Sequence, residues 1–204
     1  MLIRKKSVII LSLLLIIPKV WSATEDVIYQ CDFEDVSKHS TWTLNQVANV
    51  SRTPDSRWYI GKAGSFGGEG NGLFISSEGS ASGDAVYAAG NDELVTAYTT
   101  VHLTPGTYQL RFNWRAYTKG GLEGLYALVC PGDSKTFSNK GGAGTLPTAL
   151  ENYKVHKTDN CLHNQKFWRY DQYDFTIFSE GDYKLCFYWI SRTGRVCPPS
   201  GCID

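Results

Sequence analysis

Two stretches of this chain repeat one nine-residue pattern: Gly106-x-Tyr108-x-Leu110-x-Phe112-x-Trp114 and Gly181-x-Tyr183-x-Leu185-x-Phe187-x-Trp189. Residues two apart point to the same side of a pleated strand, so each stretch places Tyr, Leu, Phe and Trp on one face. The opposite faces differ, with Gln109, Arg111, Asn113 and Arg115 in the first and Lys184, Cys186, Tyr188 and Ile190 in the second. Burying each large apolar side chain is worth about 1.5–3 kcal/mol. Two such faces must therefore cover one another or line a shared core. The pattern predicts an all-β sandwich and says little about chemistry.

The first residues carry a different signal. Arg4, Lys5 and Lys6 precede an apolar run over 8–17 that only Ser12 interrupts, and Pro18 and Val20-Trp21-Ser22 follow it. This is the layout of a secretory signal peptide over 1–22, with cleavage after Ser22, and the run is too short for a membrane span. An uncleaved anchor is the competing reading, disfavoured because no second span appears. The run is not followed directly by a cysteine, which argues against a bacterial lipid anchor. Removing 1–22 leaves sixteen bases against twenty acids, a mildly acidic chain without a basic stripe. Nucleic acid is thereby disfavoured as a partner. The remaining 23–204 suits one domain with a core of its own.

Six cysteines remain in the exported chain, and an even number in an oxidising compartment favours disulfides, with fifteen connectivities open. Cys197 and Cys202 bracket Pro-Pro-Ser-Gly and form the first expected pair, a local loop staple. Cys130 and Cys161 flank a long loop and would close it, which leaves Cys31 with Cys186. The Cys and His spacings fit no recurrent zinc motif.

Alternation continues elsewhere. Tyr29, Cys31 and Phe33 share one side of a first strand, and 58–60, 73–76, 97–103, 125–130 and 167–178 read as further strands. The segment 125–130 is apolar at nearly every position, as expected of a strand covered on both faces. Five glycines within 64–72 mark a loop, and Thr104-Pro105-Gly106 marks a tight turn. Residues 131–160 are the least regular stretch, with one short helix expected over 149–153. A loop of that length in a compact domain is functional or mobile, and it is the expected variable contact surface. Eight to ten strands with short turns point to a jelly-roll or Greek-key sandwich of two antiparallel sheets.

These residues together resemble a known pattern. The opening Cys31-Asp32-Phe33-Glu34-Asp35 followed by Trp42-Thr43-Leu44 is similar to the start of MAM domains. Trp58-x-Ile60-Gly61, the strand from Gly72 to Ser76, and the Pro105-Gly106 hairpin follow in the order found in cleaved-adhesin and "choice-of-anchor J" modules of secreted Bacteroidetes-type proteins. Pro198-Pro199 and Ile203-Asp204 match that family's ending. The likeness covers nearly all of 27–204; the cysteine number, and Cys186 and Cys202 in particular, depart from it. It implies a closing strand that runs beyond Asp204, hence a truncated sheet with an open edge and downstream modules in the same polypeptide. It also implies a structural calcium ion held by Glu34 and Asp204, with Asp32 a weaker candidate and Gly70 or Asn71 contributing backbone oxygen.

Catalytic patterns are missing from the sequence. The four histidines lie in no metalloprotease spacing, no G-x-S-x-G elbow occurs, and the glycine-rich loop has no phosphate-binding register. Nothing in the sequence pairs two carboxylates as glycoside hydrolysis requires. Trp168, Tyr170, Tyr153 and Tyr117 fall in loops or on undetermined strand faces, where an exposed ring would stack on a sugar. The expectation is an exported, non-catalytic adhesion or recognition module that binds glycan or protein at the bacterial cell surface. Two alternatives stand beside it: an accessory module of a secreted peptidase or glycosidase, and a structural spacer.

Overall fold

The computed structural model describes residues 1–7, 24–87, 91–118, 123–141, 145–156, 161–192 and 198–204. The expected apolar leader run and Cys197 lie outside these residues. Twelve strands are present among them: β1 (Leu2–Ser7), β2 (Thr24–Gln30), β3 (Trp42–Leu44), β4 (Arg57–Gly61), β5 (Gly72–Ser76), β6 (Glu93–Leu103), β7 (Gly106–Ala116), β8 (Gly124–Pro131), β9 (Asn139–Lys140), β10 (Gln165–Ile177), β11 (Gly181–Ser191) and β12 (Cys202–Ile203). They form two antiparallel sheets stacked as a sandwich. One has seven strands in the order β2-β1-β7-β12-β5-β4 with β10 on β7, and the other five in the order β3-β6-β11-β8 with β9 on β6.

The two repeated ribbons are β7 and β11, one in each sheet. Tyr108, Leu110, Phe112 and Trp114 meet Leu185, Phe187 and Trp189 in a single core between the layers. Phe112 and Phe187 meet edge to face across that core, with ring centroids 5.4 Å apart. β11 is buried on its other face too. Cys186, Tyr188 and Ile190 form a second cluster with Leu94, Leu128, Leu146 and Leu150. Leu150 lies on a 3₁₀ turn, Thr148–Tyr153, which realises the short helix expected there. Leu146 and Leu150, between β8 and β10, thus cover the outer face of the five-stranded sheet.

β12 lies inside the seven-stranded sheet, between β7 and β5. The rest of that edge of β7 is not open, because Leu2 to Lys6 pair with Arg111 to Thr107. Backbone donors and acceptors beside a core are costly to leave unpaired, and an extended segment saturates them. Val86 and Tyr87 belong to no strand; Tyr87 packs its ring edge-on to Trp189, with ring centroids 5.2 Å apart.

Among the described residues the cysteines are placed differently from two of the expected pairs. Cys31 sits in the core between the sheets, whereas Cys186 faces the outer cover, so these two are on opposite sides of a layer. Cys161 donates to the carbonyl of Glu123 at 3.1 Å and is not joined to Cys130. Register places Cys130 opposite Lys184 on the neighbouring strand, diagonal to Cys186, and the two sulfurs lie 3.7 Å apart. The Cys186 thiol beside it pulls Cys130 below the usual thiol range, while burial pushes Cys186 up. Cys130 is therefore the thiol that ionises first. Oxidised glutathione is expected to join Cys130 to Cys186, which non-reducing peptide mapping would detect as one linked pair; a Cys130–Cys161 link would contradict the register.

Candidate functional site

The end of the seven-stranded sheet where β4, β5 and β12 meet carries a pinched loop. A 3₁₀ turn, Lys62–Gly64, follows β4, and β5 begins at Gly72. A Cβ on Gly72 would stand 2.1 Å from the Gly64 oxygen, and one on Gly64 would stand 2.4 Å from the Gly72 oxygen. The two backbones touch directly, which only glycine permits. Gly67 and Gly68 take left-handed φ of 90° and 82°, and the Gly70 N–H donates to Ser65 Oγ at 3.0 Å. The loop is held closed at its base and projects Phe66 to Glu69 outward.

Two carboxylates fasten it. The Asn71 N–H donates to Glu34 Oε1, and the Phe66 N–H donates to Asp204 Oδ2, each at 2.7 Å. Glu34 lies flat against the loop, since a Cβ on Gly70 would fall 1.9 Å from its Oε1. Asp32 Oδ1 accepts the Glu34 N–H at 3.1 Å. Burial pushes the Asp204 carboxyl above the usual range; the Phe66 N–H and the Met1 ammonium oppose this, and the charges of Glu34 and Asp32 add to it. The three acids expected as metal ligands therefore gather about one loop. They do not converge on one point: among the described residues no three His, Cys, Asp or Glu side chains are grouped as metal ligands. Glu34 and Asp204 each spend one oxygen on a loop N–H and keep a second.

The same loop carries an aromatic contact. The Phe66 ring meets Trp168 of β10 edge to face at 5.8 Å. Beneath it the Arg115 guanidinium lies 5.0 Å from the Trp168 ring centre and donates to the Ala63 carbonyl at 2.8 Å. Tyr170, two residues on, stands opposite Asn113 on the outward face. Phe66 is 56% exposed and Tyr170 55%, while Trp168 is half-buried against the cluster of Phe74, Ala85 and Cys202. Trp168 and Tyr170 are thus brought together as the sequence alone could not show. Phe66 and Arg115 complete the patch; a lone large ring in a glycine-rich loop was the available signal for the first.

The other two aromatic candidates lie elsewhere. Tyr117 is half-buried beyond β7, its N–H on the Pro199 carbonyl at 3.0 Å. Tyr153 lines a separate groove of about 550 Å³ with Val129, Phe175, Phe178 and Tyr183. Several other acids are engaged locally: Glu78 accepts the Asp84 N–H at 2.7 Å, Asp174 pairs with Lys6 at 2.7 Å, and Glu151 pairs with Lys154 at 2.6 Å. His102 stands in solvent between Asp182 at 2.9 Å and Glu180 at 3.4 Å, and hydrogen bonds to these two carboxylates raise its pKa. Comparison with protein-family models, with curated proteins and with solved structures returns no match for this chain.

Proposed function

We propose that this chain is an exported recognition module of MAM-like, cleaved-adhesin type that binds glycan at the cell surface through Trp168, Tyr170 and Phe66. The observation that supports this reading most is the aromatic patch itself. Three rings share one outward face: Trp168, over a guanidinium, and Tyr170 stand on β10, and Phe66 stands on a loop pinned by Glu34 and Asp204. Aromatic rings on a rigid base give large contact area at little entropic cost, and the apolar faces of sugars match them. Arg115 fixes the Trp168 ring from below and leaves its exposed edge to the ligand.

A calcium ion bound at the loop would supply charge neutralisation for Glu34, Asp32 and Asp204. Those residues hold the loop that presents Phe66, so the ion belongs to the positioning of the patch and not to its contact surface. Residues 1–22 act as the leader that exports the chain.

Glycan-array profiling of the secreted protein tests the binding reading. Trp168→Ala is expected to weaken binding to the best glycan by about thirtyfold, the effect of losing one aromatic anchor worth roughly 2 kcal/mol. Phe178→Ala, exposed beside the other groove, serves as the control that keeps affinity. Equal binding by wild type and Trp168→Ala would sink this site, and no glycan bound at all would favour the spacer reading. Calcium is checked by melting with and without chelator: the wild type should lose melting temperature on chelation, and Glu34→Gln should no longer respond.

A further inference from the structure

Two strands share one lane beside β7. At one end Cys202 and Ile203 of β12 pair with Arg115 and Trp114, and Asp204 exchanges two backbone hydrogen bonds with Asn113, at 2.8 and 3.0 Å. β1 then takes over in the same direction and on the same edge, with Leu2 opposite Arg111 and Lys6 opposite Thr107. The register is continuous, which leaves Met1 beside Phe112. Side-chain alternation is continuous too: Ile203, Met1 and Ile3 all pack towards the core. Ile3 is fully buried between Leu110 of β7 and Tyr29 of β2.

β2 has β1 as its strand partner. Without residues 1–6, β2 and β7 would flank a gap one strand wide, about 10 Å between their axes, or twice the ordinary spacing. An added strand at an ordinary sheet edge gains one hydrogen-bond ladder. A strand entering this gap gains two, and it also covers the inner faces of Leu110 and Tyr29. Emptied, the gap would leave the N–H and C=O groups of Thr107, Gln109 and Arg111 unpaired at the rim of the core.

We propose that this lane is an acceptor site for an extended peptide strand: residues 1–6 fill it in cis, and once they are removed it takes a strand in trans that carries apolar side chains at the Met1 and Ile3 positions. The position of Lys5 is less demanding, because its chain runs along Tyr108 and its ammonium reaches Thr104 Oγ1 at 2.7 Å. The inference rests on the export reading only for the step that empties the lane.

The test uses the full chain with a protease site inserted between Ser12 and Leu13, folded first and then cut, so that folding is not at issue. A fluorescent peptide with the sequence of residues 1–7 is expected to exchange into the lane with saturable anisotropy. The Ile3→Asp peptide should bind at least about tenfold more weakly, the loss of one buried branched side chain. Hydrogen exchange at Thr107, Gln109 and Arg111 should rise once the cut fragment is washed away and fall again with added peptide. Unchanged protection at these amides without the fragment, or equal binding of both peptides, would overturn the acceptor site. Sequencing the N-terminus of the secreted protein is read separately: a start at Thr24 or Ala23 supports the emptying step, and retained Met1 overturns it.

Discussion

Phe187→Ala is expected to lower the free energy of unfolding by about 3–5 kcal/mol, the range for truncating a fully buried aromatic side chain. Phe187 is fully enclosed, and its ring is central to a run of aromatic contacts that crosses both layers. It stacks on Trp42 at 6.2 Å and meets Phe112 edge to face at 5.4 Å; Trp42 in turn touches Phe33 at 5.5 Å, and Phe112 touches Tyr173 at 5.9 Å. Every neighbour sits on a paired strand or against one, so the hole left by the ring has little scope to collapse. Urea unfolding followed by tryptophan fluorescence measures the loss. A change below about 1 kcal/mol, far under the cavity range, would mean that the two layers do not lean on this contact.

Glu93→Ala should cost about 2–4 kcal/mol, because it strands one buried and one part-buried N–H group whose acceptor is a buried carboxylate. Glu93 opens β6 and is fully buried. Its Oε1 accepts the Asp55 N–H at 2.5 Å and its Oε2 the Ser56 N–H at 3.1 Å. The chain enters β4 directly afterwards, and Trp58 there donates its indole N–H to the Val95 carbonyl at 3.1 Å. Glu93 therefore docks the entrance of β4, in one sheet, onto β6 of the other. Glu93→Gln retains one acceptor but turns an amide N–H₂ towards the second donor, so it should recover only part of the loss. Urea midpoints for the three proteins give the ranking, and amide exchange at Asp55 and Ser56 identifies the cause.

Period-two alternation made the sandwich legible from sequence. Tyr108 to Trp114 and Tyr183 to Trp189 declare their inward faces without reference to any partner, and the structure buries both. What needed a partner was not legible. Cys130 and Cys186 become neighbours only through the register that sets Cys130 against Lys184, and register is a property of two strands together. Trp168 and Phe66 lie about a hundred residues apart in sequence and meet because β12 and the pinched loop bring the ends of β5 and β10 to one side. Glu34, Asp32 and Asp204 were named through short motifs by resemblance, and the structure sets them about one loop without bringing them to one point. β1 was the hardest. Met-Leu-Ile-Arg-Lys-Lys-Ser has one strongly buried position, Ile3, and three bases that suit the start of a leader equally well.

The two sheets do not offer themselves equally to change. From Leu185 to Ser191, β11 has seven consecutive buried residues, whereas β10 alternates and shows solvent every second position for most of its length. Neutral drift can therefore accumulate on β10 and the face around it while β11 stays nearly frozen. New specificities would be written on the seven-stranded layer, with the five-stranded layer and its cover kept as the fixed page beneath.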